Sequence, residues 1–172
     1  MSGAAILATA SILSLTTGHA NASPAVHYLF SPAHHPLGSA KHLNATAPVT
    51  QSFFGSEWAV DQVGSDQQGV AKYRLSSASA AGVKCLDVEG GILTAGTALT
   101  TAACDSSSAT QNWALVPAQA GGKRTVKLVS TSSGLIAGVR GASTANGAPI
   151  ELQVDVDQTS QKFYQTVVWP AG

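Results

Sequence analysis

The fold of this 172-residue chain is limited most strongly by a repeated motif in which glutamine stands two positions before a large aromatic residue. The two copies are Gln111-Asn112-Trp113 and Gln161-Lys162-Phe163. Each copy ends a unit with the same order: an alternating strand, a Ser/Gly turn, a second apolar strand and a strand that follows glycine. Asp87 precedes Gln111 by 24 positions, and Gly138 precedes Gln161 by 23. This regular spacing predicts an internally repeated fold.

A weaker copy precedes these two. The segment "VHYLFS" at 26–31 resembles the opening strands, and "APVTQ" at 47–51 matches "APIEL" at 148–152. Trp58 supplies the closing aromatic residue, with Ser56 where the other copies have glutamine. We therefore predict three repeats of about four short strands each, over about 26–65, 72–118 and 124–170.

Such a repeat predicts an all-β, closed architecture with pseudo-threefold symmetry, because one unit of this size cannot bury a core alone. The aromatic residues Trp58, Trp113 and Phe163 occupy equivalent positions, so we expect them to meet in one core. Burial of a ring of that size contributes about 2–3 kcal/mol.

The charge composition excludes an electrostatic hold on nucleic acid or on an anionic membrane. Charged residues make up 10% of the chain, and nine Lys and Arg balance nine Asp and Glu. A neutral chain without a basic run offers nothing to attract phosphates.

The N-terminal residues predict export. An apolar stretch at 4–17 is too short to span a bilayer, and Ala20-Asn21-Ala22 follows it with small residues at a signal-peptidase spacing. We expect a signal peptide over 1–22 and a secreted mature chain from Ser23 without a membrane anchor. No Lys or Arg precedes the apolar stretch, so a buried first strand or helix is the alternative.

Export makes the two cysteines informative. Cys85 and Cys104 lie 19 positions apart, and a disulfide between them would contribute about 3 kcal/mol in the chain-entropy model. Two buried free thiols are the alternative. A zinc site is disfavoured, because no second Cys or His pair stands nearby at metal spacing.

The second repeat carries a resemblance to a known family. Its "CLDV" at 85–88, "GT" at 96–97, Cys104 and "QNW" at 111–113 resemble the ricin B-type lectin family, in order and in spacing. The resemblance implies a β-trefoil of three four-stranded repeats over 23–172, with an in-repeat disulfide in repeat two. Repeat three has Ile136 and Asp155 in place of the cysteines.

The resemblance also implies where a sugar would bind. Family repeats use a carboxylate on the second strand, a stacking aromatic residue two positions before the second Cys, and an Asn before the supporting Gln. In repeat two these places hold Asp87, Ala102, Thr110 and Gln111.

The other repeats depart further from the pattern. Repeat three has Gly138 and Gln153 at the carboxylate and stacking places, and repeat one aligns near Leu37 and Ser52, with Phe53 and Phe54 as its only neighbouring rings. At most one partial site is predicted, in repeat two.

Two functions follow as hypotheses. The first is a secreted, lectin-like module that binds carbohydrate, either a galactose-like sugar or a polysaccharide. The alternative is a trefoil scaffold that has lost sugar binding and acts in protein interaction or inhibition through the loops at 89–96 and 140–147. Catalysis is not expected, since no carboxylate pair or nucleophile motif stands out. We expect a monomer that needs no cofactor.

Four histidines cluster near the N-terminus. His27, His34, His35 and His42 have donor atoms suited to a divalent metal. We expect them instead to lie on the surface of strands and loops, without a metal.

Overall fold

The computed structural model describes residues 26–35 and 41–168, which form twelve strands and four single 3₁₀ turns. The strands are β1 (His27–Pro32), β2 (His42–Asn44), β3 (Thr50–Ser52), β4 (Trp58–Ser65), β5 (Ala71–Ser79), β6 (Gly82–Val88), β7 (Leu99–Ala103), β8 (Trp113–Ala120), β9 (Lys123–Ser130), β10 (Ile136–Val139), β11 (Ile150–Gln153) and β12 (Phe163–Val168). The predicted signal peptide at 1–22 and the aligned Leu37 lie outside the described residues.

The first and last strand of each repeat build a closed barrel. All the pairs are antiparallel: β1 pairs with β4, β4 with β5, β5 with β8, β8 with β9, β9 with β12, and β12 with β1. The six strands thus form a ring without an open edge between the chain's first and last strands. The predicted all-β class and the β-trefoil architecture are confirmed.

The two inner strands of each repeat form a hairpin at one end of this barrel, and hydrogen bonds join the three hairpins. The N–H of Val49 donates to the Leu99 carbonyl at 2.8 Å, and the N–H of Ile150 donates to the Val49 carbonyl at 2.9 Å. The Leu152 N–H donates to the Thr97 carbonyl at 2.8 Å. Side chains of Val49, Leu99 and Ile150 are fully buried there, so the hairpins close the core at this end.

The core holds all three repeat-closing aromatic residues. Trp58, Trp113 and Phe163 are fully buried in one cluster with aliphatic residues from every repeat. The indole N–H of Trp58 donates to the Leu43 carbonyl and that of Trp113 to the Leu86 carbonyl, both at 3.2 Å. Each tryptophan therefore fixes the hairpin of its own repeat while it fills the barrel.

Different interactions hold the end of the inner hairpin in repeats two and three. Cys85 of β6 and Cys104, just after β7, form the predicted disulfide. In repeat three the second cysteine is replaced by Asp155, whose carboxylate lies 2.8 Å from the Lys127 ammonium of β9. The same ammonium lies 2.8 Å from Asp157, which also meets Lys162 at 2.9 Å. An ion-pair network thus stands where repeat two has a covalent bond.

Candidate functional site

Asp87 lies near the end of β6, where the strand meets the 3₁₀ turn Glu89–Gly91. Its Cα pairs with Thr100 of β7, and its side chain is half-buried. The left-handed conformation of Gly90 (φ 61°) and Gly91 (φ 68°) lets the chain turn sharply here. The carboxylate therefore stands on a rigid strand beside a tight turn.

The structure brings the three predicted binding residues into direct contact. The Gln111 amide donates to Asp87 Oδ2 at 2.9 Å, and the Thr110 hydroxyl donates to Oδ1 at 2.5 Å. The Val88 N–H also donates to Oδ1, at 2.7 Å. Three donors from two segments thus hold the carboxylate in one orientation.

Gln111 is only 2% exposed, and it connects three parts of its repeat. Besides the bond to Asp87, its amide donates to the Ala103 carbonyl at 2.9 Å. Its side-chain carbonyl accepts from the Asp105 N–H at 2.9 Å. Ala103 and Asp105 flank Cys104, so Gln111 binds the same segment that the disulfide fastens.

Acceptor capacity remains on this carboxylate. Its Oδ1 already receives two donors, whereas Oδ2 receives only the Gln111 amide and keeps one acceptor direction. Thr110 lies 2.9 Å from the Ser108 hydroxyl, which can donate to it because Thr110 donates to Asp87. The arrangement can accept hydrogen bonds from neighbouring hydroxyl groups of a ligand.

No aromatic residue stands between Asp87 and Trp113, so this part of repeat two gives the site no aromatic wall. Ala102, at the place where the resemblance implies a stacking ring, is partly exposed on β7 opposite Cys85. Ile92, which follows the 3₁₀ turn, is 57% exposed. Any apolar face offered to a ligand from this turn is therefore aliphatic.

Repeat three places an amide where repeat two has a carboxylate. The Gln161 amide donates to Gln153 Oε1 at 3.1 Å and to the Val154 carbonyl at 2.8 Å. A Cβ on Gly138 would lie 2.2 Å from that same Oε1. The Gln153 side chain of β11 thus occupies the space that glycine leaves open on β10.

A cleft of about 500 Å³ opens beside this amide pair. Its polar lining includes Glu151, Gln153, Gln158 and Gln161, and the neighbouring repeat contributes Ala95 and Gly96. The sequence did not predict this cleft, because Gly138 stands where the resemblance implies a carboxylate. The only signal was the recurrence of Gln at 153, 158 and 161.

Repeat one has a different polar arrangement. Ser56, which replaces the motif glutamine, donates to Asn44 Oδ1 at 3.0 Å and accepts from the Ala45 N–H at 2.9 Å. Phe53 and Phe54 are 57% and 86% exposed, so this repeat presents rings at the surface.

The four histidines contact protein groups. The His34 ring meets the Ser143 carbonyl at 3.0 Å, and the His35 ring meets the Gln51 side chain at 3.1 Å. His42 contacts Ser31 at 2.7 Å, and His27 contacts Glu57 at 3.3 Å. Burial lowers the pKa of both His34 and His42. Within residues 26–35 and 41–168, no three His, Cys, Asp or Glu side chains are grouped to hold a metal.

No helix in the described part of the chain has the length and apolar character needed to cross a membrane.

Comparison with known proteins supports this description. A family model described as ricin-type beta-trefoil lectin domain-like matches residues 55–153. The chain has no significant match among curated proteins.

Three solved structures illustrate the shared fold. The designed threefold-symmetric protein ThreeFoil has a TM-score of 0.63 and 23% identity, over 81% of this chain and 96% of that one. The Polyporus squamosus lectin, bound to a human-type influenza-binding epitope, has a TM-score of 0.60 and 19% identity, over 82% and 48%. The exo-beta-1,3-galactanase of Clostridium thermocellum has a TM-score of 0.62 and 18% identity, over 86% and 31%. The present chain thus spans about half or less of the two natural proteins.

Proposed function

Because this chain belongs to the ricin-type beta-trefoil lectin domain-like family, we propose that it is a secreted, non-catalytic carbohydrate-binding module with one partial sugar site in its second repeat. Secretion is supported by the apolar segment at 4–17 and by the Cys85–Cys104 disulfide, a bond typical of oxidising compartments.

The observation that carries the proposal is the fixed orientation of the Asp87 carboxylate. Gln111 and Thr110 hold it, and Oδ2 keeps a free acceptor direction. Vicinal hydroxyls of a galactose-like sugar need an acceptor that does not reorganise on binding, and a carboxylate held by three donors meets that need. Asp87 would accept a hydrogen bond from one sugar hydroxyl. Thr110, whose own proton is donated to Asp87, would accept a hydrogen bond from the neighbouring hydroxyl.

The absence of a ring at Ala102 sets the expected strength of binding. Without a stacking surface, the site relies on polar contacts that compete with water, so we expect a Kd of about 1 mM for a monosaccharide, equivalent to about −4 kcal/mol. A polysaccharide that presents many copies would bind more tightly through avidity when the protein is immobilised at high density.

The test is titration with galactose and xylan, together with a glycan array. The Asp87→Asn variant keeps the size of the side chain but removes the charge, and we expect at least a tenfold loss of affinity. Asp61→Asn, at an exposed position on β4, is the matched control and should bind like the wild type. Unchanged binding by Asp87→Asn would refute this site, provided that both variants unfold at the wild-type temperature.

A second function is favoured by the exposed side chains Phe53, Phe54 and Ile92. Exposed apolar groups of this size are typical of contact surfaces, and a trefoil that had lost sugar binding would use them in protein interaction or inhibition. Capture of partners from secreted material distinguishes the two functions. Elution by free sugar favours the lectin, whereas sugar-insensitive retention that Phe54→Ser abolishes favours protein interaction.

A further inference from the structure

A second concave site lies at the end of the barrel opposite the hairpins. β8 begins at the core residue Trp113 and runs to Ala120, and Gly121-Gly122 then turn the chain into β9, so this turn marks the far end. A cavity of about 530 Å³ lies here between the β8–β9 hairpin and β12. It is separate in the fold from Asp87.

The cavity arises because two barrel strands diverge. In the described residues, β9 and β12 share the single registered pair Val126 and Phe163. Beyond it, β9 continues into its hairpin with β8, while β12 continues to pair with β1. The space between the strands is therefore built by the barrel itself.

The walls combine one cation with amides and apolar groups. Arg124 and Gln119 face each other across the hairpin, and Gln165 comes from β12. Pro117 and Val126 supply apolar surface. This mixture suits a ligand with an anionic end and a small apolar body.

Arg124 is exposed and has no ion-pair partner among the described residues, whereas Arg140, Lys127 and Lys162 are each paired with a carboxylate. A guanidinium presents several donors in a plane that matches a carboxylate. Arg124 is thus a cation that the described fold leaves available to a ligand.

Thr125 gives an independent indication. It is 4% exposed and lines the cavity, and its hydroxyl oxygen has no hydrogen-bond partner within the described chain. Buried polar groups in native proteins are nearly always paired, so an unpaired one calls for an explanation. The Thr125 hydroxyl is therefore a polar group beside the cavity that the described fold leaves unused.

We propose that this cavity binds a small organic carboxylate. The ligand's carboxylate forms an ion pair with Arg124 and accepts a hydrogen bond from the Thr125 hydroxyl. The side-chain amides of Gln119 and Gln165 donate its remaining hydrogen bonds. The apolar body of the ligand packs against Pro117 and Val126. The site works independently of any sugar at Asp87.

The experiment is an NMR or calorimetric titration of the full chain with benzoate at low ionic strength, beside benzamide as the uncharged analogue. We expect saturable benzoate binding with shifts on β8, β9 and β12, and no saturation with benzamide. Arg124→Gln should weaken binding at least tenfold and Thr125→Val about threefold. Asp87→Asn should have no effect, which separates this proposal from the sugar site.

The matched control is Lys123→Gln, which removes a positive charge from the neighbouring exposed position outside the cavity lining. Its benzoate affinity should equal that of the wild type. The proposal is overturned if benzoate does not saturate, if Arg124→Gln binds normally, or if Lys123→Gln loses as much affinity as Arg124→Gln.

Discussion

Gln111 combines a structural role with a role in orienting the candidate site. Its side chain is almost completely buried, and it bonds to Asp87, to the Ala103 carbonyl and to the Asp105 N–H. Only one of these partners belongs to the candidate sugar site. The glutamine of the repeated motif therefore holds the repeat together whether or not a ligand binds.

Replacement of Gln111 by Ala should destabilise the protein by about 2–4 kcal/mol, because three polar partners lose their bonds and a buried space is left. Urea unfolding measures the change. Gln68→Ala, at an exposed turn position, should change stability by less than about 0.5 kcal/mol. A loss at Gln111 as small as that of the control would contradict the role we assign to this side chain.

Gly138 and Gln153 provide a second prediction at this scale. Gly138→Asp alone should destabilise, since its Cβ would lie 2.2 Å from Gln153 Oε1. Addition of Gln153→Ala removes the contacts at 2.2 Å and 2.7 Å, leaves the contact with Gln161 Cγ at 3.1 Å, and gives the Gln161 amide a carboxylate, as in repeat two. A double-mutant cycle should show a favourable coupling of about 1–3 kcal/mol. Additive effects would mean that the two positions do not share one space.

At the scale of elements, different interactions hold the segment that follows β7 in repeat two and the segment that follows β11 in repeat three. The disulfide joins β6 to Cys104, whereas Lys127 of β9 joins Asp155 and Asp157. Hydrogen bonds from Lys127 lower the pKa of Asp155 and of Asp157, and those carboxylates raise the pKa of Lys127. The stabilisation by the Lys127 ion pairs therefore depends on pH, whereas that by the Cys85–Cys104 disulfide does not depend on the titration of these groups.

The Lys127→Met variant tests this dependence. Both carboxylates have folded pKa values below the ordinary 3.8, so their contribution is present above about pH 4 and is lost as the pH falls through the lowered values. Lys127 has a folded pKa above 10.5, so its contribution is present below pH 10.5 and is lost as the pH rises past it.

The difference in unfolding free energy between wild type and Lys127→Met should thus be largest between about pH 5 and pH 9 and should shrink at pH 3. Lys123→Met, on the same strand but exposed, should show no such profile. A difference that stays constant down to pH 3 would show that packing of the Lys127 stem, rather than its charge, stabilises the strand.

At the scale of the whole molecule, the repeat order could be predicted from sequence because each copy must place a large ring in one shared core. The resemblance to the ricin B-type lectin family placed Asp87, Thr110 and Gln111 in one candidate site. The resemblance implied that Gln111 supports the carboxylate, but the hydrogen bond from Thr110 could not be predicted, because the 3₁₀ turn Ala109–Gln111 decides that Thr110 reaches Oδ1. The barrel-end cavity gave no sequence signal either, since it depends on how β9 and β12 diverge.

Closure of the barrel makes the three repeats depend on one another. β1 pairs with β12 over six residues, which joins the first repeat to the third, and β4 pairs with β5, which joins the first to the second. Trp58 and Trp113 share the core that these strands enclose. No repeat can leave the barrel without exposing the rings of the others, so unfolding should be cooperative.

Hydrogen exchange of the two indole N–H groups tests this cooperativity within the wild-type protein. Each group is buried and bonded to a backbone carbonyl at 3.2 Å, Trp58 in repeat one and Trp113 in repeat two. We expect both to exchange only through global unfolding, with opening free energies within about 0.5 kcal/mol of each other and of the urea value. A value for Trp58 lower by more than about 1 kcal/mol would show that the first repeat opens alone, because local opening is the only route that exposes one indole without the other.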